Sequence, residues 1–145
     1  MKREFVVAVY IVKDDKVLLH WHKKSGRWLP PGGHIEENEL PDEAAIREVK
    51  EEVGLEIELI GKKAKGHPKQ NAKGLFTPML VQLEDIPQRN DEPEHQHIDL
   101  IYAAQPKSTN ITDGRWMRIE NMKREGIEEE IIEHSKIAIE AVKEK

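Results

Sequence analysis

The sequence predicts an α/β chain, a sandwich built on a central mixed β-sheet. Three observations carry this. β-Branched runs such as "FVVAVYIV" at residues 5–12 suit buried strands, two segments have helical spacing, and further strands are interleaved between them. At 145 residues the chain fits one domain spanning 1–145, long enough for a single core. With 37% hydrophobic and 35% charged residues it reads as soluble and globular. No apolar run approaches the roughly 18 residues that would suggest a membrane span. The chain has no cysteine, which excludes disulfides, thiolate metal sites and thiol nucleophiles, and the cytoplasm is the expected location. A net charge of −5 argues against a protein that coats duplex nucleic acid.

The elements follow in order. The apolar run in "MKREFVVAVYIVKDD" is short, strand-like and without a small-residue cleavage site, so it reads as a first strand rather than a signal peptide. Asp14 and Asp15 supply a turn into a second strand, "KVLLHWH" at 16–22. "GRWLPPGG" at 26–33 suits a short extended piece and then a sharp loop. A helix is expected from Pro41 to Val53, stopped by Gly54. "LEIELIGKKAKG" begins as an alternating strand, "LFTPMLVQLED" and "HIDLIYAAQ" supply two more, and "GRWMRIE" is a short one. In the tail, Ile127, Ile131, Ala138 and Val142 fall at helical spacing and predict a closing amphipathic helix.

On a wheel of roughly 100° per residue, Ile46, Val49 and Val53 of the first helix form one stripe, expected to bury against the sheet. Glu48, Glu51 and Glu52 then fall on the far side, with Ala44 one turn earlier leaving room above them. Arg47 sits beside this arc, four residues from both Glu43 and Glu51, well placed for ion pairs. Like charges at i,i+4 cost a helix about 0.2–0.5 kcal/mol per pair. A divalent cation removes that repulsion, and Mg²⁺ prefers carboxylate oxygens. The helix alone is equally compatible with a solvated charged face.

The wider spacing is more specific. Gly33, five residues, Glu39, seven residues and then "REVKEEVGL" from Arg47 to Leu55 match the Nudix box at every defining position. Together with "WLPPGG", this box makes the chain resemble the Nudix hydrolases, the MutT-like family. The resemblance implies the Nudix fold, an α/β/α sandwich with a central mixed β-sheet. It also implies Mg²⁺-dependent cleavage, with Mn²⁺ as a substitute, of a diphosphate bond in a nucleoside diphosphate linked to another moiety. Carried onto matching positions, Glu51 and Glu52 look like metal ligands, Glu48 like a ligand or the general base, and the Gly32 carbonyl like a backbone ligand. Arg47 and Glu39 look like partners that orient the site. Family members differ in their base, and some take a glutamate from a later loop, for which Glu92 and Glu94 are the candidates. Many relatives place Ser or Thr before the helix proline, where this chain has Leu40. That absent cap oxygen is worth about 1 kcal/mol, offset in part by Asp42 and Glu43 at the positive helix end. The implied partner is a small-molecule nucleotide, either a nucleoside triphosphate or an ADP-ribose-like compound, and a homodimer is compatible with the resemblance. The alternative is a non-catalytic nucleotide-binding regulator, although no box glutamate is missing. An isomerase acting on prenyl diphosphates would need a cysteine that the chain lacks.

Outside the box, "HQHID" puts His95, His97 and Asp99 on one face of a strand. Were that strand to reach the cleft, this face would touch phosphate or support a second metal; otherwise it is an exposed strand face. Lys23, Lys24 and Arg27 precede the loop and are candidates for phosphate contact. The lysine-rich stretch 61–74 reads as a loop able to sweep over an anionic substrate. Trp21, Trp28 and Phe76 are available for base stacking, with core packing as the alternative.

Overall fold

The computed structural model describes residues 1–145. β1 (Arg3–Lys13) and β2 (Lys16–His22) form a hairpin whose turn residues, Asp14 and Asp15, have φ of +51° and +60°. Two consecutive left-handed residues match the right-handed twist of the flanking strands, and Asp tolerates that conformation. β3 (Arg27–Leu29) lies against β2, and β4 (Gly32–His34) returns antiparallel to β1, pairing Val6 with His34 and Val7 with Gly33.

α1 (Pro41–Val53) follows, then β5 (Ile57–Ile60), β6 (Leu80–Ile86) and β7 (His95–Pro106). β7 runs parallel to β1 from Arg3↔Gln96 to Ile11↔Ala104, and this pair is the centre of the sheet. β5 and β6 both lie antiparallel on the other flank of β7. β8 (Arg115–Met117) closes onto β2, giving an eight-stranded mixed sheet.

Strand alternation sends side chains to two cores. On one face Val7, Val9, Ile11, Tyr102 and Ala104 pack with Ala44, Ala45, Val49 and Val53 of α1. On the other, Tyr10, Val12, Ile101 and Ala103 meet Met122 and the residues Ile127, Ile131, Ile132 and Ala138 in and around α3 (Glu129–Lys143). The result is the expected α/β/α sandwich.

Three details differ from the sequence expectation. The strand expected over "GRWMRIE" stops at Met117, Arg118 stays extended, and a six-residue helix, α2 (Ile119–Arg124), follows. So short a helix has too few turns to show a period, and the burial of Met122 fixes it. The lysine-rich stretch contains a single 3₁₀ turn, Pro68–Gln70, closed by a bridge between His67 and Ala72. The buried stripe of α1 is also rotated. Ile46 is 41% exposed, whereas Ala44 and Ala45 are fully buried. Small alanines let the helix approach the sheet closely, which turns Ile46 to the outside and draws two of the glutamates inward.

Candidate active site

α1 is placed by its punctuation. Pro41 occupies the first turn, where its missing N–H costs nothing. The Glu43 carboxylate accepts the Leu40 N–H at 3.0 Å, so one of the orphan donors is satisfied without a Ser or Thr cap. At the other end Gly54 adopts φ +79° and donates to the Lys50 carbonyl at 3.1 Å. A Cβ on Gly54 would meet Thr112 at 2.7 Å, and the Thr112 N–H donates to the Val53 carbonyl at 2.9 Å. The loop after β7 is thereby held against the end of α1.

The two glycines of β4 give the glutamates their place. An ideal Cβ on Gly33 would lie 2.6–2.8 Å from the Glu48 carboxylate, so Glu48 fills the space that any other residue would occupy. Glu52 accepts the Gly32 N–H at 2.7 Å. Thus Glu48 and Glu52 are half-buried between helix and strand, and only Glu51 lies on an exposed face. This corrects the outward-facing arc drawn on the wheel. The physical reason lies in β4: the absent side chain of Gly33 leaves room for Glu48 beneath the helix, and the Gly32 N–H holds Glu52.

Arg47 ties the cluster together. Its Nε and Nη2 donate to the two Glu39 oxygens at 2.7 and 2.9 Å, a bidentate pair. Nη1 donates to Glu48 at 2.9 Å and Glu51 at 3.2 Å, and Nη2 also donates to the His34 carbonyl at 3.0 Å. One cation therefore hydrogen-bonds three carboxylates and lies 3.6 Å from a fourth, Glu36. The Arg47 hydrogen bond holds the Glu39 carboxyl below its ordinary value. Burial raises Glu48 despite the Arg47 hydrogen bond. Burial pushes Glu52 up to about 7, opposed by the Gly32 N–H and reinforced by Glu48 and Glu51. Carboxyls strained toward the neutral form by burial and by one another are what a bound cation would relieve.

His20 stands beside this cluster, its Nε2 3.6 Å from Glu52 and its Nδ1 3.9 Å from Asp113. Burial lowers its pKa, opposed by Asp113. Asp113 was not singled out from the sequence. The available signal was its place in an Asp-Gly turn just before β8, which pairs with the strand carrying His20. Glu92 and Glu94, the later-loop candidates, are elsewhere. Glu92 pairs with Lys24 at 3.7 Å and approaches His95 at 3.5 Å, and Glu94 is exposed on the same turn.

The other expected residues separate into groups. Arg27 Nη1 donates to both Glu128 oxygens at 2.8 Å, so its guanidinium is engaged at the α3 end. Lys23 is exposed in the turn after β2. His95 and Asp99 are buried, contrary to an exposed strand face, and His97 is half-buried. Asp99 accepts from Gln82 at 3.0 Å. All three lie on the α3 side of the sheet, because β7 pairs Val6 with Asp99 while Gly33, facing α1, pairs with Val7. They are not in contact with Glu48 or Glu52. Trp21 and Trp28 stack edge to face at 5.8 Å, and Phe76 packs against the α1 core.

A sequence model described as the NUDIX domain matches residues 2–135. Among curated proteins, a probable DHNTP pyrophosphohydrolase of Lactococcus lactis subsp. cremoris (strain MG1363) is 34% identical over 100 residues, covering 68% of this chain and 51% of that protein. An RNA pyrophosphohydrolase of Marinomonas sp. (strain MWYL1) is 42% identical over 57 residues, 36% of this chain and 35% of that protein. The chain spans about half or less of the length of these curated relatives. Among solved structures, a NUDIX-family hydrolase from Clostridium perfringens superposes with a TM-score of 0.79 at 38% identity, covering 99% of this chain and 98% of that one. A UDP-X diphosphatase shares the fold at a TM-score of 0.60 and 18% identity, covering 99% of this chain and 64% of that one.

Proposed function

Because this chain belongs to the Nudix family, we propose that it is a divalent-metal-dependent hydrolase cleaving a diphosphate bond in a nucleoside diphosphate linked to another moiety. The observation that carries this is the Glu48–Glu52 pair, half-buried against Gly33 and Gly32 in a group of carboxylates that share Arg47. The donors are oxygens, which suits Mg²⁺, with Mn²⁺ as a substitute. Glu48, Glu51, Glu52 and the Gly32 carbonyl would hold the ion. When bound, it neutralises phosphate oxygens and acidifies a water for in-line attack.

The chain's own groups supply the rest. Glu48, raised by burial yet bonded to Arg47, is suited to accept the proton of the attacking water. Arg47 and Glu39 are positioning residues that fix the rotamer of Glu48. His20 borders Glu52, with Asp113 on its far nitrogen, and Asp113 is a candidate for the later-loop carboxylate used by some family members. Lys23 is free to meet a substrate phosphate.

The substrate is a small nucleotide, and the relatives' names as pyrophosphohydrolases agree with the bond class. We assign it to the nucleoside triphosphate or ADP-ribose-like group. One domain over 1–145, a homodimeric state and a cytoplasmic setting belong to the same proposal. The last is favoured by the absence of cysteine.

The test is product analysis over a nucleotide panel with Mg²⁺. Wild type should release phosphate or pyrophosphate products, and Glu48→Gln should slow turnover by about 10²–10⁴-fold, the contribution of a positioned proton acceptor. Nucleotide binding without turnover by wild type would instead identify a regulator. Turnover that persists in Glu52→Gln would refute the metal assignment.

A further inference from the structure

On the face of the sheet opposite α1, sequence-distant side chains converge. β1 places Glu4 beside His97 of β7, and β4 places His34 beside Val6. One ligand-type atom from each of Glu4, His34 and His97 lies within 4.8 Å of the others. His95, two residues before His97 on the same strand face, brings its Nε2 to 3.2 Å from His97 Nε2 and 3.6 Å from Glu4 Oε1. His34 Nε2 is 3.5 Å from Glu4 Oε2. A narrow cleft of about 200 Å³ between Lys2, Glu4, His34, Glu92, Pro93 and His95 opens onto the cluster.

We propose that Glu4, His34, His95 and His97 form a binding site for a borderline divalent cation of the Zn²⁺ type, separate from the glutamate helix. With metal–ligand bonds of about 2.0–2.2 Å, a tetrahedral site has donor–donor edges of roughly 3.3–3.6 Å. The His95–His97 separation of 3.2 Å is close to such an edge, and Glu4 presents one oxygen 3.5 Å from His34 and the other 3.6 Å from His95, so a turn of the carboxylate lets a single oxygen serve both. Three imidazoles and a carboxylate favour Zn²⁺ over Mg²⁺ or Ca²⁺, which prefer oxygen donors.

The surroundings of two histidines are also set for ligation. His95 Nδ1 is 2.9 Å from the Pro93 carbonyl. A carbonyl only accepts, so Nδ1 carries the proton and the Nε2 lone pair faces the cluster. His97 turns its Nδ1 toward Glu84, 4.0 Å away, and its Nε2 toward His95, so Nε2 is the nitrogen that faces the cluster. Such an ion would clip β1, β4 and β7 together at the edge of the strand that carries Gly32 and Gly33.

This inference is independent of catalysis and is tested by direct binding. The metal-stripped full chain is titrated with Zn²⁺ by calorimetry in excess Mg²⁺, and with Co²⁺ by visible absorption. The same titrations are run on Glu48→Gln/Glu52→Gln, His34→Ala and His97→Ala, each checked for folding by circular dichroism. Wild type and the double glutamine variant should bind a single Zn²⁺ and show tetrahedral Co²⁺ bands. His34→Ala and His97→Ala should bind Zn²⁺ at least about 10–100-fold more weakly, since even an outer partner is worth that much. Should either alanine variant misfold, the conservative His97→Gln replaces it under the same criterion. Zn²⁺ binding that is absent in wild type under excess Mg²⁺, unchanged in the histidine variants, or lost in the double glutamine variant would overturn the site.

Discussion

At Glu52, half-buried beneath α1, the carboxyl is pushed up from 4.5 to about 7, chiefly by burial. Its folded-state pKa is above the unfolded one, so proton binding favours the fold. That contribution is complete below about pH 4.5 and is lost as the pH rises through 7. At roughly 1.4 kcal/mol per unit, ionisation costs the metal-free protein on the order of 3 kcal/mol. Metal-free Glu52→Gln should therefore unfold at a higher temperature than wild type at pH 8 and at nearly the same temperature at pH 4.5. A melting difference that does not widen between those values would show that Glu52 ionises without penalty. Arg47 gives a second residue-level expectation. Lys cannot reproduce its two-pronged bond to Glu39, so Arg47→Lys should lose about 1–3 kcal/mol of stability in denaturant titration. Turnover should fall as well, because Glu48 loses its partner.

Among the elements, α1 was the most legible because Pro41 and Gly54 mark its ends in the sequence itself. Its orientation was less so. A wheel shows which residues share a stripe, but whether Glu48 and Glu52 turn inward depended on the empty side-chain position of Gly33 and the N–H of Gly32, which belong to another segment. Gly33→Ala should therefore displace the Glu48 carboxylate and collapse turnover. Gly26→Ala, where a Cβ meets nothing within 4 Å but φ is +66°, should cost only stability. Comparing kcat and Tm for the two variants separates these effects. The N-terminus of α1 lacks a side-chain cap at Leu40. Leu40→Asp should stabilise the protein by about 1 kcal/mol, read as a rise of a few degrees in Tm. α2 was illegible for the opposite reason: its signal is a single buried Met122.

For the molecule as a whole, local pattern revealed the strands but not their partners. The box residues were legible because they lie within one continuous stretch. Asp113 and the meeting of His97 with Glu4 and His34 were not, because long-range strand pairing brings them together. The same pairing exposes an apolar strip. Val81 and Leu83 on β6, which has no strand on its outer side, are 59% and 55% exposed. They share a face with Phe5 at 57% through the row Phe5, Ile98, Leu83. An apolar edge strand of this kind is suited to a second copy of the chain. Sedimentation should show a wild-type dimer that Val81→Lys/Leu83→Lys converts to a monomer, and a monomeric wild type would exclude the dimer.

The central β1–β7 pair joins residues 3–11 to residues 96–104. During synthesis, β1 must wait for residues 96–104 to emerge before its longest ladder can form, and until then one row of its amide groups has no mate. Such distant closure slows self-assembly and favours shielding of the nascent chain by a chaperone.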